Sequence, residues 1–302
     1  MIRKIIRVQL FLVVLVFLLV VLFSLSPQKF LKLAVLQSGA TLAEHVELTL
    51  EKTFDAGALI ESIPYERGRF TDVLPMRRYE RAIKQGKGDC SNLAHGLAYW
   101  LVENRIDFAI VHLLRLPGFV QGKGHVALEA AMEIDGAEKA GILDLLEGGV
   151  LYDKNSLVSA RDLLNETADE IIIRPYHPTR DSRSAYYEKQ NLESTVIGVT
   201  PNDEQAEYFR FIESVYIDIG NRTLERYIFD GIALLVGVFP KIHVQQSDYA
   251  EIESEYGGAI FASKCALIIV RTMVLIAIVS ILYGLAYQLR ISKILRRGSA
   301  EV

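Results

Sequence analysis

Cysteine is scarce in this chain: 302 residues hold two, Cys90 and Cys265. Cys90 closes "QGKGDC" and opens "CSNLAHGLAYWL", in which Leu93, Leu97, Trp100 and Leu101 share one helical face. A thiol at a helix N-terminus meets the positive end of the helix dipole and free N–H groups. Both stabilise a thiolate and make the sulfur nucleophilic. Gly86 and Gly88 let backbone and substrate approach closely, and the Cys90 backbone N–H is placed to donate to an oxyanion. Gln85, five residues earlier, is the candidate for a second oxyanion donor. A thiol nucleophile needs a base, and His125 stands 35 residues downstream. The base needs an orienting acid, and Asp144 stands 19 residues further on, with Asp153 in reserve. Each residue also has a plain structural reading: a small buried thiol, a strand histidine, a turn carboxylate, a loop amide.

The elements that must position these groups follow from periodicity. Ser91 to Asn104 reads as a helix, "FAIVHLLRL" as a strand and "PGFVQGKG" as a turn-rich loop. "HVALEAAMEI" reads as a second strand with His125 at its start, and "DGAEKA" as a hairpin connection opening on Asp-Gly. "GILDLL" is a third strand carrying Asp144, and "VLYD" a fourth. Adjacent strands lie about 4.8 Å apart, so His125 and Asp144 meet if the register puts them on one face. His112 alternates within its strand, and His95 lies on the Cys90 helix as packing or polar lining. Beyond the block, "SARDLLNETADEI" reads as a helix capped by Ser159, "RPYHPTRDSRSAYYEKQN" as a polar loop, and 201–239 as helical, with "GIALLVGVF" a buried helix whose rival reading is an interfacial or re-entrant segment.

The run "GDCSNLAHGLAYWLVENRIDFAIV", then "GHVALEA", then "GILDL" resembles the core of the transglutaminase-like superfamily, in a bacterial membrane-anchored form. That pattern is Gly-x-Cys opening a helix, a strand, His on a strand and Asp on the next. Cys90, His125 and Asp144 match it residue by residue, across Arg78 to Asp153, about a quarter of the chain. The chain departs at Val126, where an aromatic residue often follows the histidine. The resemblance implies an α+β, papain-like core in which the Cys-bearing helix packs on an antiparallel sheet. It also implies thiol acyl transfer through a thioester, on a peptide or protein amide. Water is the expected acceptor, making a peptidase or amidase rather than a cross-linker. The rival expectation is a non-catalytic scaffold of the same fold within a membrane complex.

Composition places this core on a membrane. Hydrophobic residues make up 51%, with the excess at the two ends. "VQLFLVVLVFLLVVLFSLS" offers 18 uncharged residues, Val8 to Leu25, which suffices to cross about 30 Å of hydrocarbon. A cleaved signal peptide is the rival, but "SLSP" is a poor cleavage site. Cys265 to Leu289 is the second expected span, interrupted by Arg271, which snorkels to the headgroups or pairs with a partner helix. Arg3, Lys4 and Arg7 precede the first span; Arg290, Lys293, Arg296 and Arg297 follow the second. The positive-inside rule then places both termini in the cytoplasm and the main domain in the periplasm, on a two-pass inner-membrane protein. The expected organisation is an anchor (1–28), a helical linker or stalk (29–77), the catalytic domain (78–200), a helical extension (201–263), and a span with a basic tail (264–302). Partners are the substrate, the bilayer and a membrane protein. A net charge of −4 with no basic aromatic-interleaved run argues against nucleic acid. No paired Cys/His spacing suggests zinc, and no cofactor is expected.

Overall fold

The computed structural model describes residues 33–39, 47–64, 66–68, 70–115, 124–165, 170–176 and 185–298. The expected first span, Val8–Leu25, lies outside the described residues, as does most of the Gly-rich loop before His125.

In chain order the elements are β1 (Leu36–Ser38), α1 (Ala56–Ser62), β2 (Glu66–Arg67), α2 (Pro75–Tyr79), a π-helical turn (Glu80–Lys84), β3 (Lys87–Gly88) and α3 (Cys90–Asn104). There follow β4 (Phe108–Arg115), β5 (Gly124–Ile134), β6 (Ala137–Asp144), β7 (Gly149–Asp153), β8 (Ser156–Leu157), α4 (Ala160–Leu164) and β9 (Ile171–Pro175). The chain continues with α5 (Lys189–Leu192), β10 (Thr195–Pro201), α6 (Asn202–Val215), α7 (Arg222–Val236), β11 (Ile242–Val244) and α8 (Gln246–Gly298).

The main sheet runs β1-β11-β10-β4-β5-β6-β7-β8, with β9 also paired to β7. The class is α+β. The sheet is mixed rather than antiparallel as expected, because β1 pairs parallel with β11. β1 comes from the segment read as a helical linker, and β11 from the segment read as a helical extension. Three residues each are too few to show a period-2 pattern.

β5 is an alternating strand with both faces buried. Leu128, Ala130 and Met132 face one core with Leu93, Leu97 and Leu101 of α3. Ala127 faces the other core with Val111, Ile142, Leu163 of α4, and Tyr187. Each fully buried leucine contributes roughly 1.5–3 kcal/mol of burial. The layers are therefore helix, sheet, and a second shell of short helix and loop. At Gly96 the π turn comes so close to α3 that an added Cβ would meet the Ala82 Cβ at 2.7 Å. That contact fixes how α3 lies against the segment leading into it.

α8 is one continuous helix of 53 residues, roughly 80 Å long. Among the described residues it is the one helix long and apolar enough to cross a membrane. The expected second span is its distal part. Its proximal part packs Ile252 and Ile260 against Leu33, Leu36, Leu114, Val196 and Val244. The domain is thus docked on the helix that carries the apolar belt.

Candidate active site

The backbone around Cys90 is built by a reciprocal cap. Asp89 Oδ1 accepts from the Asn92 N–H at 3.0 Å, and Asn92 Oδ1 accepts from the Asp89 N–H at 3.3 Å. This capping box starts α3 at Cys90 and sets the direction of its first turn. Upstream, β3 pairs parallel with β2. Gly88 sits at φ 154°, where an added Cβ would meet the Asn92 Cβ at 2.7 Å. Only glycine fits there, so "GKGDC" is a shaped entry to the helix. The Cys90 thiol is half-buried.

The placement of His125 against Asp144 begins at the Asp135–Gly136 turn. Both residues have positive φ, 52° and 75°, the signature of a tight hairpin that matches strand twist. Pairing then runs from Ile134 with Ala137 to Leu128 with Leu143. One step further, Asp144 stands opposite Ala127, on the same face as His125 and diagonal to it. His125 Nε2 lies 2.5 Å from Asp144 Oδ2, with both side chains fully buried.

Asp144 is saturated. Its Oδ1 accepts from the backbone N–H groups of Leu146 and Glu147 at 3.0 and 3.1 Å, closing the turn after β6. Its Oδ2 accepts from His125 and, at 2.7 Å, from the Tyr187 hydroxyl. Burial alone would raise the carboxyl's pKa, but His125 and these donors hold it below its ordinary value. Burial likewise opposes protonation of His125, and the Asp144 carboxylate overrides it, raising the imidazole's pKa. The Cys90 side chain adds to the rise.

The protonation pattern follows. A carboxylate only accepts, so the neutral imidazole carries its proton on Nε2. Nδ1 is then the basic nitrogen. It is buried without a hydrogen bond of ordinary geometry, and Cys90 is the side chain acting on the ring besides Asp144. Carboxylate and thiol thus both act on the imidazole.

Two tyrosines complete the surroundings, and neither stands out in the sequence. Tyr186 stacks on the imidazole, with centroids 4.1 Å apart and planes 15° apart. Tyr187 meets the ring edge-on at 5.9 Å and is only 2% exposed. A Tyr-Tyr doublet inside a polar loop is the only signal they leave, and it does not say which strands they reach.

The other candidates have surroundings of their own. Gln85 is exposed at the end of the π turn. It lines a cavity of about 270 Å³ with Asp72, Arg77, Glu80, Arg81 and Arg222. Those guanidiniums are already matched: Arg81 to Asp72 at 3.1 Å, Arg222 to Glu225 at 2.9 Å, and Arg77 to Asp218 at 3.4 Å. Asp153 accepts from the Glu170 N–H at 3.2 Å, four residues along β7 from Gly149, the partner of Asp144. That is roughly 13 Å away. The His95 ring donates to the Ser91 carbonyl at 2.7 Å; burial and then Arg78 push its pKa down to about 3, so it is neutral. His112 bonds the Thr200 hydroxyl at 3.0 Å across the β4–β10 pair. Among the described residues no three His, Cys, Asp or Glu side chains converge as a metal site would require.

Arg271, expected to snorkel or to pair with a partner helix, donates to the Leu234 carbonyl of α7 at 2.7 Å. Compared with known proteins, the chain matches no family model, no curated protein and no solved structure.

Proposed function

We propose that this chain is a membrane-anchored thiol enzyme with a transglutaminase-like, papain-like core, acting on an amide or peptide acyl group. The observation that supports it is the buried His125–Asp144 pair, on whose imidazole the Cys90 side chain at a helix N-terminus also acts.

His125 Nδ1 takes the Cys90 proton as the sulfur attacks the substrate carbonyl. The C–S bond forms, and the carbonyl oxygen takes the electron pair near the Cys90 backbone N–H. Gln85, across the Gly86–Gly88 loop, is the proposed second donor. The tetrahedral species collapses: the C–N bond breaks, His125 protonates the departing amine, and a thioester remains. Water then attacks, giving its proton to His125, and collapse releases a carboxylic acid and restores the Cys90 thiol with that proton. Asp144 holds the ring in the Nε2–H tautomer and stabilises the imidazolium formed in each half-reaction. Tyr186 and Tyr187 hold the ring and the carboxylate.

The anchor is α8, joined by Val8–Leu25. Basic residues outside each span set both termini in the cytoplasm and the main domain in the periplasm. Of the two motives for the scaffold alternative, Arg271 has a partner within the chain, and the long helical C-terminal region remains.

The test is the pH dependence of Cys90 alkylation by iodoacetamide in the solubilised protein, beside His125→Ala. Labelling that persists well below pH 8 and weakens in the variant supports an activated thiol. Labelling that rises only near pH 8.5 and ignores the variant refutes it. Cys90→Ala must also abolish amide hydrolysis while the fold is retained.

A further inference from the structure

The end of α7 leaves apolar surface beside the membrane helix. Val236 is 58% exposed, and Leu235, Val238 and Phe239 are half-buried around Gly237. Leu234 packs against Leu267 of α8. One turn further along α8, Arg271 Nη2 donates to the Leu234 carbonyl. The tip of α7 is therefore level with residues 267–271 of α8.

That level is the edge of the apolar belt. Ile268, Ile269, Leu275, Ile276, Val279, Leu282 and Leu289 are all more than half or near half exposed, with Arg271 the only charge between Ile268 and Leu289. Twenty-two residues at about 1.5 Å each span roughly 33 Å, the thickness of a hydrocarbon core. On the other side of the edge, α8 carries Asp248, Glu251, Glu253 and Glu255. A bilayer around the belt thus has its boundary at the tip of α7.

The backbone of the tip suits that position. The N–H groups of Gly237, Val238 and Phe239 all go to the Ala233 carbonyl, at 3.0, 3.0 and 3.2 Å. The Leu234 carbonyl is among the last four of α7, which have no partner within a helix. Arg271 supplies one, and its charge complements the negative end of the α7 dipole. Gathering these donors and the Leu234 carbonyl inside the chain lessens the polar backbone that would face lipid.

We infer that Leu235–Phe239 is a second membrane contact, an apolar foot seated in the lipid interface beside α8 and stitched to it by Arg271. A domain on a single helix could swivel about it; with the foot in place the sheet and the Cys90 helix keep one tilt and height over the bilayer. The inference rests on the reading of α8 as a membrane anchor.

The experiment is spin labelling of the full chain in phosphatidylcholine–phosphatidylglycerol nanodiscs, on a background with Cys90→Ala and Cys265→Ala. Single sites are Val236→Cys, Leu224→Cys in the first turn of α7, and Leu275→Cys in the α8 belt. Relaxation by oxygen, which partitions into lipid, is compared with relaxation by a water-soluble nickel chelate. The oxygen-to-nickel ratio at Val236 should approach that at Leu275 and exceed that at Leu224 several-fold. A ratio at Val236 equal to that at Leu224, with Leu275 lipid-like, overturns the foot and spares the anchor. A water-like Leu275 overturns the anchor and the foot together.

Discussion

Among the described residues two histidines hold a carboxylate through Nε2. His125 on β5 faces Asp144 at 2.5 Å, and His243 on β11 faces Glu204 of α6 at 2.8 Å. Glu204 also accepts from the Lys241 N–H at 2.8 Å; burial would raise its pKa, but His243 and that N–H hold it low, much as His125 holds Asp144. In partner chemistry the two are alike, although the first pair is fully buried and the second partly exposed. They differ in what else reaches the ring. His125 has the Cys90 thiol acting on it and Tyr186 stacked on its face. His243 ties an α6 carboxylate to the β11 edge, where Lys241 adds a cation 3.9 Å from the same group. A histidine–carboxylate pair is therefore a structural part that two places use, and the thiol at the helix start makes one of them a candidate for chemistry.

The sharpest way to break this comparison is to remove each ring. His125→Ala should slow Cys90 alkylation at neutral pH and amide hydrolysis by roughly 10²–10⁴-fold, the span of a general base. His243→Ala should leave both at the wild-type rate. Equal losses in the two variants would mean that the pairs share one structural role.

Next in size is the orienting acid. Asp144→Asn keeps the shape but can present an amide N–H to Nε2, favouring the wrong tautomer, so turnover should fall by about 10² or more. Its stability signature has a definite sign. The raised His125 pKa gives stability that is complete below the unfolded value, about 6.5, and is lost as pH rises through the folded value. The depressed Asp144 pKa gives stability present above about 3.9 and lost as pH falls through the folded value. Thermal melts of wild type and Asp144→Asn should therefore differ most between about pH 4 and 6.5, and the gap should shrink as pH rises.

Tyr187→Phe removes one hydrogen bond to a buried carboxylate and should cost about 1.5–3 kcal/mol of stability in denaturant titrations. The expected loss of turnover is smaller than for Asp144→Asn, because His125 keeps its acceptor. The smallest effect belongs to Tyr186→Leu, which keeps most of the apolar contact and removes the ring pair: about 0.5–1.5 kcal/mol, read by the same titrations. A loss larger than that of Tyr187→Phe would show that stacking, rather than the hydrogen bond, holds the imidazole.

Much of the site's frame is legible in the residues. Asp89 and Asn92 flank Cys90 at capping-box spacing, and the Asp-Gly dipeptide marks the hairpin whose register brings Asp144 to His125. These are local signals, carried by side chains that bond their own backbone or by residues that tolerate positive φ. The tyrosines are not legible, because their partners lie 43 residues away for Tyr187 and 61 for Tyr186. β1 and β11 are too short to show a pattern. Their parallel pairing joins residues more than 200 apart and turns an expected antiparallel sheet into a mixed one. Arg271 reads as a charge in an apolar run; that it caps another helix depends on where α7 ends.

The sequence by itself determined the local geometry: a thiol at a capped helix start, a histidine and an aspartate on consecutive hairpin strands, and an apolar run long enough to cross a membrane. Periodicity, capping and turn chemistry act over a few residues and can be read there. Tertiary structure alone decided which nitrogen of His125 meets the carboxylate, what shields the pair from water, which of two similar pairs has a thiol beside it, and where the α7 tip lies along α8. Those outcomes depend on packing between segments far apart in the chain, where burial and the need to satisfy every buried polar group select one arrangement.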